Sequence, residues 1–215
     1  MQQKLTPAEF DAHVANRTLR LAFIGMSNGG KSYRSRKLQQ DMGFLWYQVD
    51  EQIQKALGLT TMGELASWVG YPTDPQYPER EKTYLQYENE FTRHASMQTG
   101  GKNLVFDTTG SVVHLEPETI RSLQDNCLIV HLDVGVQSIG PMVEQFFREP
   151  KPVAWCGALN KGAGESNDEA LRRCYPALLT KRLAQYGELA HVTIPVAEVF
   201  DTSGQETLRI IARHL

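Results

Sequence analysis

Residues 24–33 read IGMSNGGKSY, and the fold class turns on them. Gly25 is followed by four residues and then by Gly30, Lys31 and Ser32, a full match to the pattern G-x-x-x-x-G-K-[ST]. The run is preceded by the mostly apolar LRLAFIG and followed by a helix-compatible segment from Lys31 to Met42 that Gly43 stops. Strand, glycine loop and helix in that order suit a polyphosphate. The glycines let successive amide hydrogens turn inward, and the helix amino terminus adds positive potential. Gly25, Asn28, Gly29, Gly30, Lys31, Ser32 and Tyr33 are therefore the candidate nucleotide-binding residues, with Lys31 bridging the outer phosphates and Ser32 ligating magnesium. A glycine turn that only caps a helix leaves the Lys31-Ser32 pair unexplained.

Working outward, FLWYQV (44–49), NLVFD (103–107), CLIVHLDV (127–134) and HVTIPV (191–196) are further strand candidates with helical stretches between them. Such alternation implies right-handed crossovers and a parallel sheet covered on both faces. The 215 residues, 41% of them hydrophobic, suffice for one substantial core, so a single domain over 1–215 is expected. Residues 1–18 form an appended segment whose helix, at about 7 to 16, is announced by Thr6-Pro7-Ala8-Glu9, a capping box with proline at the first helical position. A net charge of −3 with interspersed signs offers no broad footprint for duplex nucleic acid. Three cysteines without CxxC spacing argue against a disulfide framework or a zinc site. Six histidines lack the i, i+4 pairing of a zinc helix. There is no apolar signal core and no run approaching the roughly 18 apolar residues of a membrane span, so a cytoplasmic protein is expected.

Two polar excursions interrupt the pattern, one at about 60–82 containing GYPTDPQYPEREK and one at about 148–172 containing most of FFREPKPVAWCGALNKGAGESND. They read either as solvated insertions or as a substrate-binding flap and a closing lid. Trp68 and Trp155 fall within them, as packing residues or as pocket lining.

Two carboxylates close strand candidates. Asp107 ends LVFD, where an aspartate beside a phosphate loop holds magnesium; it could equally cap the turn with Thr108 and Thr109. Asp50 follows LWYQV at the carboxyl edge of the sheet, where it could orient and deprotonate a hydroxyl or simply cap the next helix.

The loop, Asp50, Arg80 in the first excursion, the lid and LLTKRLAQYGELAHVTI together resemble shikimate kinase and its relatives among the small phosphotransferases, from about Leu19 onward. The most specific agreement is the order Arg182, Tyr186, Glu188, Ala190. The resemblance implies a three-layer αβα P-loop kinase fold, with a five-stranded parallel sheet of order 2-3-1-4-5 and a lid. It also implies ATP and Mg2+. On that reading Lys31, Asp50 and Asp107 are catalytic, and Arg80 and Arg182 clamp a substrate carboxylate through planar donor forks. Lys151, or Arg148 in competition with it, closes over the nucleotide, and FDTSGQET lies near the adenine.

The chain also departs from the family pattern. Gln48 stands where the family carries an aspartate two residues before the one matched by Asp50, and Thr109-Gly110-Ser111 replaces three successive glycines. Asp107 is read as restoring the lost metal-organising carboxylate. Side chains on Thr109 and Ser111 are expected to narrow or re-polarise the acceptor pocket. Arg172 and Arg173 at the end of the lid are either phosphate contacts or a surface pair. The expected reaction is transfer of the ATP γ-phosphoryl group to a hydroxyl of a small, anionic acceptor such as shikimate or a related polyol acid, by a monomer or weak homodimer. A nucleoside or nucleotide kinase and a catalytically silent ATP-binding protein are the alternatives.

Overall fold

A computed structural model describes residues 5–98 and 100–215, so the first four residues of the appended segment lie outside the described residues. Helix α1 (Pro7–Ala15) begins as its sequence dictates, with the Thr6 hydroxyl accepting from the Glu9 amide and the Glu9 carboxylate accepting from the Thr6 amide at 2.8 Å. Strand β1 (Arg20–Ile24) leads through the glycine loop into α2 (Lys31–Met42). Gly43 ends α2 at φ 69°, a left-handed angle suited to glycine, and its amide returns to the Gln39 carbonyl. There follow β2 (Leu45–Gln48), α3 (Val49–Ala56), α4 (Met62–Val69), α5 (Tyr77–Met97) and β3 (Leu104–Asp107). The chain continues through α6 (Pro117–Asn126), β4 (Leu128–Asp133), α7 (Ile139–Arg148), α8 (Asn167–Leu189), β5 (Val192–Pro195), α9 (Val196–Val199) and α10 (Gly204–His214).

All five strands pair in parallel in the order β2-β3-β1-β4-β5, and helices cover both faces. Alternation along the central strands divides the core in two. Leu21, Phe23, Val105, Val130 and Leu132 pack with Phe10, Leu38 and Ile211 on the α1, α2 and α10 side. Ala22, Ile24, Leu104, Phe106 and Ile129 face Tyr84, Leu123 and Tyr186 on the α5, α6 and α8 side. Each of the large apolar side chains buried here contributes about 1.5–3 kcal/mol relative to exposure. The same period of two sends Asp107, two residues beyond Val105, out toward α2 and the glycine loop. Its register partners are Phe23 on β1 and Gln48 on β2.

The two excursions are more ordered than their composition indicates. Residues 60–82 contain α4 and the start of α5, because Thr61 and Glu64 form a capping box and Pro78 falls in the first helical turn, where its missing amide costs nothing. In the second excursion Val153, Ala154 and Trp155 are buried. The Trp155 amide donates to the Tyr77 hydroxyl oxygen at 2.7 Å, and the Cys156 amide donates to the Glu81 carboxylate at 2.7 Å. The stretch between Cys156 and the cap of α8 is mostly exposed loop.

Candidate active site

At the end of β1 a side chain on Gly25 would put its Cβ 2.8 Å from the Leu132 carbonyl oxygen, and Gly30 sits at φ 86° just before α2 with no side-chain cap. The first amides of α2 are thereby left free for an anion. Lys31 is buried, and its ammonium folds back to donate to the Gly25 and Met26 carbonyls at 2.8 and 2.9 Å. Burial lowers its pKa, while the nearby carboxylates of Asp50, Asp107 and Glu88 act the other way.

Beside the loop lies a cavity of about 290 Å³ whose walls include Lys31, Ser32, Gln48, Asp50, Asp107 and Lys151. Two elements supply its carboxylates. Asp107 leaves the end of β3, and one of its oxygens accepts from the Trp46 indole at 2.6 Å. Asp50 stands in the first turn of α3 and accepts from the Tyr84 hydroxyl at 3.0 Å. Burial raises the Asp50 pKa, with Tyr84 and Lys31 opposing and Asp107 adding to the rise. Gln48 turns its amide to Glu51 at 2.8 Å. Among the described residues no group of three or more His, Cys, Asp or Glu forms a metal cage. One carboxylate and one hydroxyl, from Asp107 and Ser32, suit magnesium, which keeps its remaining positions for phosphate and water.

On the other side of the loop a cavity of about 580 Å³ is walled by Gly29, Tyr33, Leu132, Val134, Val199 and Phe200. Arg34 ties this region to the FDTSGQET stretch, donating to the carbonyl and hydroxyl of Thr202 at 2.8 Å each. A flat apolar group at the far end of a nucleotide fits here.

A third cavity, of about 20 Å³, is lined by Asn28, Gly110, Lys151, Tyr175, Arg182 and Tyr186. It has little more than room for one water, so a ring-sized molecule enters only if a wall moves. Arg182 is buried there, donating to the Ala154 carbonyl and lying 3.4 Å from His114 Nε2 through its Nε. Burial together with the charges of Arg182 and Lys181 pushes the His114 pKa down to about 4, so the ring facing the guanidinium is neutral near pH 7.

Of the anticipated site residues, Lys31, Ser32, Asp50 and Asp107 share one cavity, and Gly110 and Arg182 share the adjoining one, with Asn28 and Lys151 lining both. Arg80 stands outside these cavities with its guanidinium 5.8 Å from the Trp68 ring. Arg148 is exposed and bonds back to the Glu144 carbonyl. Arg172 pairs with Asp168 and lies over Phe147, while Arg173 pairs with Glu165. Thr109 and Ser111 are buried, with both hydroxyls turned to the Glu88 carboxylate, so the cavity beside Arg182 meets only Gly110 of the three. Sequence reasoning missed Glu88, Tyr84 and Trp46. The available signal was the spacing of Tyr77, Glu81, Tyr84 and Glu88, which repeats on one helical face.

Three solved structures share this architecture across nearly their whole length. Shikimate kinase from Acinetobacter baumannii, in complex with shikimate, superposes with a TM-score of 0.63 over 95% of this chain and 97% of that one, at 19% identity. The fold is that of the shikimate kinases. The enzyme from Bacteroides thetaiotaomicron gives 0.59 at 16% identity, covering 89% of this chain and 94% of that chain, and the one from Aquifex aeolicus gives 0.55 at 19%, covering 89% and 92%. No family model and no curated protein matches the sequence. The five-stranded order anticipated from the sequence is the order found.

Proposed function

We propose that this chain is a small-molecule kinase that transfers the γ-phosphoryl group of ATP to a hydroxyl of a small anionic acceptor, such as shikimate or a related polyol acid. The observation that carries the reading is the meeting, in one cavity, of the phosphate-loop residues Lys31 and Ser32 with two carboxylates, Asp50 and Asp107. Lys31 exchanges the Gly25 and Met26 carbonyls for phosphate oxygens and spreads its charge over the transferring group. Asp50, oriented by Tyr84, aligns the acceptor hydroxyl and takes its proton. Arg182 and Lys151 give the adjoining cavity the positive charge that an anionic substituent requires. Magnesium, held by Asp107 and Ser32, would neutralise charge on the phosphates. Packing of residues 153–155 against α5 excludes water, which otherwise competes as acceptor.

One observation favours a second reading within the same reaction class. Arg80 lies over Trp68 and does not line the cavity that holds Arg182, so the two-arginine carboxylate clamp is incomplete. A nucleoside acceptor, which carries no anionic group, needs no such clamp.

The experiment is direct. Purified protein with labelled ATP and magnesium is offered panels of cyclic polyol acids, neutral polyols, nucleosides and nucleotides. Transfer to polyol acids is expected. Activity confined to nucleosides or nucleotides replaces the acceptor assignment, and tight ATP binding without transfer to any panel leaves an ATP-binding protein that catalyses nothing. Asp107→Asn is expected to weaken the magnesium-dependent turnover.

A further inference from the structure

Helix α5 directs Tyr77, Glu81, Tyr84 and Glu88 at three different parts of the site. Tyr77 and Glu81 hold residues 155–156, Tyr84 holds Asp50, and Glu88 holds the turn after β3. Glu88 is fully buried, and each of its oxygens accepts one hydroxyl, from Thr109 and from Ser111. The Thr109 hydroxyl oxygen also accepts from the Ser111 amide at 3.1 Å, closing the turn. Between them Gly110 is pinned from its other side, its carbonyl accepting from the Tyr186 hydroxyl. A Cβ on Gly110 would lie 3.7 Å from Arg182 Nη1, so this peptide is the wall opposite the guanidinium.

Building on the small-molecule kinase reading, we propose that Glu88 is the positioning residue of the acceptor site, its carboxylate clamping residues 109–111 into a fixed wall that faces Arg182 and limits which acceptors fit. Two hydroxyl donors need an ionised carboxylate. A protonated one carries a donor of its own, so one of the two bonds must reverse and the charge-assisted hold on that hydroxyl is lost. Burial pushes the Glu88 carboxyl up to about 7, against the pull of the two hydroxyls and Arg182, while Asp50 pushes it further up. Lys31, Tyr84, Tyr186 and Cys156 are the other titratable groups that feel its charge. Lowering the pH through that value loosens the wall and raises the acceptor KM, whereas the nucleotide, bound on the far side of the loop, is unaffected.

The test compares wild type with Glu88→Gln, which keeps the shape and removes the titration. The wild-type acceptor KM is expected to be about tenfold higher near pH 6 than near pH 8, at constant nucleotide KM. In Glu88→Gln it should be raised and flat with pH. Asp50 is present in both proteins, so the difference between their KM profiles isolates Glu88. The same KM profile in both proteins would overturn the proposal. A second measurement needs no acceptor: hydrogen exchange at residues 109–112 should lose protection on acidification in the wild type and remain independent of pH in the variant. Equal protection profiles in the two proteins would also overturn it. If exchange behaves as expected and no acceptor is phosphorylated, the kinase reading falls and the clamp stands.

Discussion

Trp46 on β2 and Asp107 on β3 are joined through the indole, which donates to one carboxylate oxygen at 2.6 Å, with the Arg36 guanidinium 5.6 Å from the indole ring. This fixes how Asp107 presents its other oxygen to the cavity. A hydrogen bond to a charged group is worth about 1.5–3 kcal/mol. Trp46→Phe is therefore expected to lower the melting temperature and to raise the magnesium concentration for half-maximal turnover by about tenfold. Thermal denaturation and a metal titration check the two effects separately. An unchanged metal requirement would mean that Asp107 does not organise the cation.

Lys31 keeps a buried ammonium on two carbonyls, an arrangement that burial disfavours. Lys31→Ala should leave the melting temperature unchanged or higher, while nucleotide binding is lost and transfer falls by at least about a hundredfold. Calorimetric titration with ATP, alongside a melting curve, separates loss of the ligand from loss of the fold.

Asp50 has a raised pKa in the folded protein, chiefly through burial. The native state thus takes up this proton at higher pH than the unfolded chain does, and stability gains as the pH falls from the raised value toward the ordinary carboxylate range. On the proposed mechanism activity moves in the opposite direction, because only an ionised Asp50 could take a proton from the acceptor. Melting temperature and kcat measured across that window should diverge in the wild type. In Asp50→Asn the Asp50 share of that stability gain disappears, leaving the share from Glu88, whose pKa burial also raises, and turnover is lost throughout.

Gly110 meets Ser27 across the narrow cavity, and a Cβ there would lie 3.1 Å from the serine hydroxyl oxygen. Gly110→Ala is expected to raise the acceptor KM by about tenfold or more, with nucleotide affinity unchanged. Equal loss of both would place this residue at the nucleotide and remove it from the acceptor wall.

Much of the architecture was legible because apolar runs end abruptly at informative residues, LRLAFI at Gly25 and LVFD at Asp107. Strand register then brought Asp107 and Gln48 side by side without further information. The long helix α5 was the opaque part. Polar residues dominate YPEREKTYLQYENEF, so the spacing of Tyr77, Glu81, Tyr84 and Glu88 was its one mark, and the contacts with Asp50, Thr109 and Ser111 identify that stripe as the inner face. Arg80 shows the converse. It fell at a plausible place along the chain, yet it lies one position short of inward-facing Glu81, on the flank of the stripe, where the Trp68 ring receives it. Thr109 and Ser111 looked like intrusions into a pocket because a sequence does not tell which way a short side chain turns.

The strand that delivers the phosphate loop is flanked by partners from much later in the chain: Phe23 pairs with Asp107, and Ile24 pairs with His131. During synthesis β1 therefore leaves the ribosome long before either neighbour exists, and its loop has no second wall until β4 has emerged. Nascent chains arrested before that point should fail to capture nucleotide, with ligand-dependent protease resistance arising in one step once β4 clears the exit tunnel. Such long-range pairing also predicts slow folding for a chain of this size.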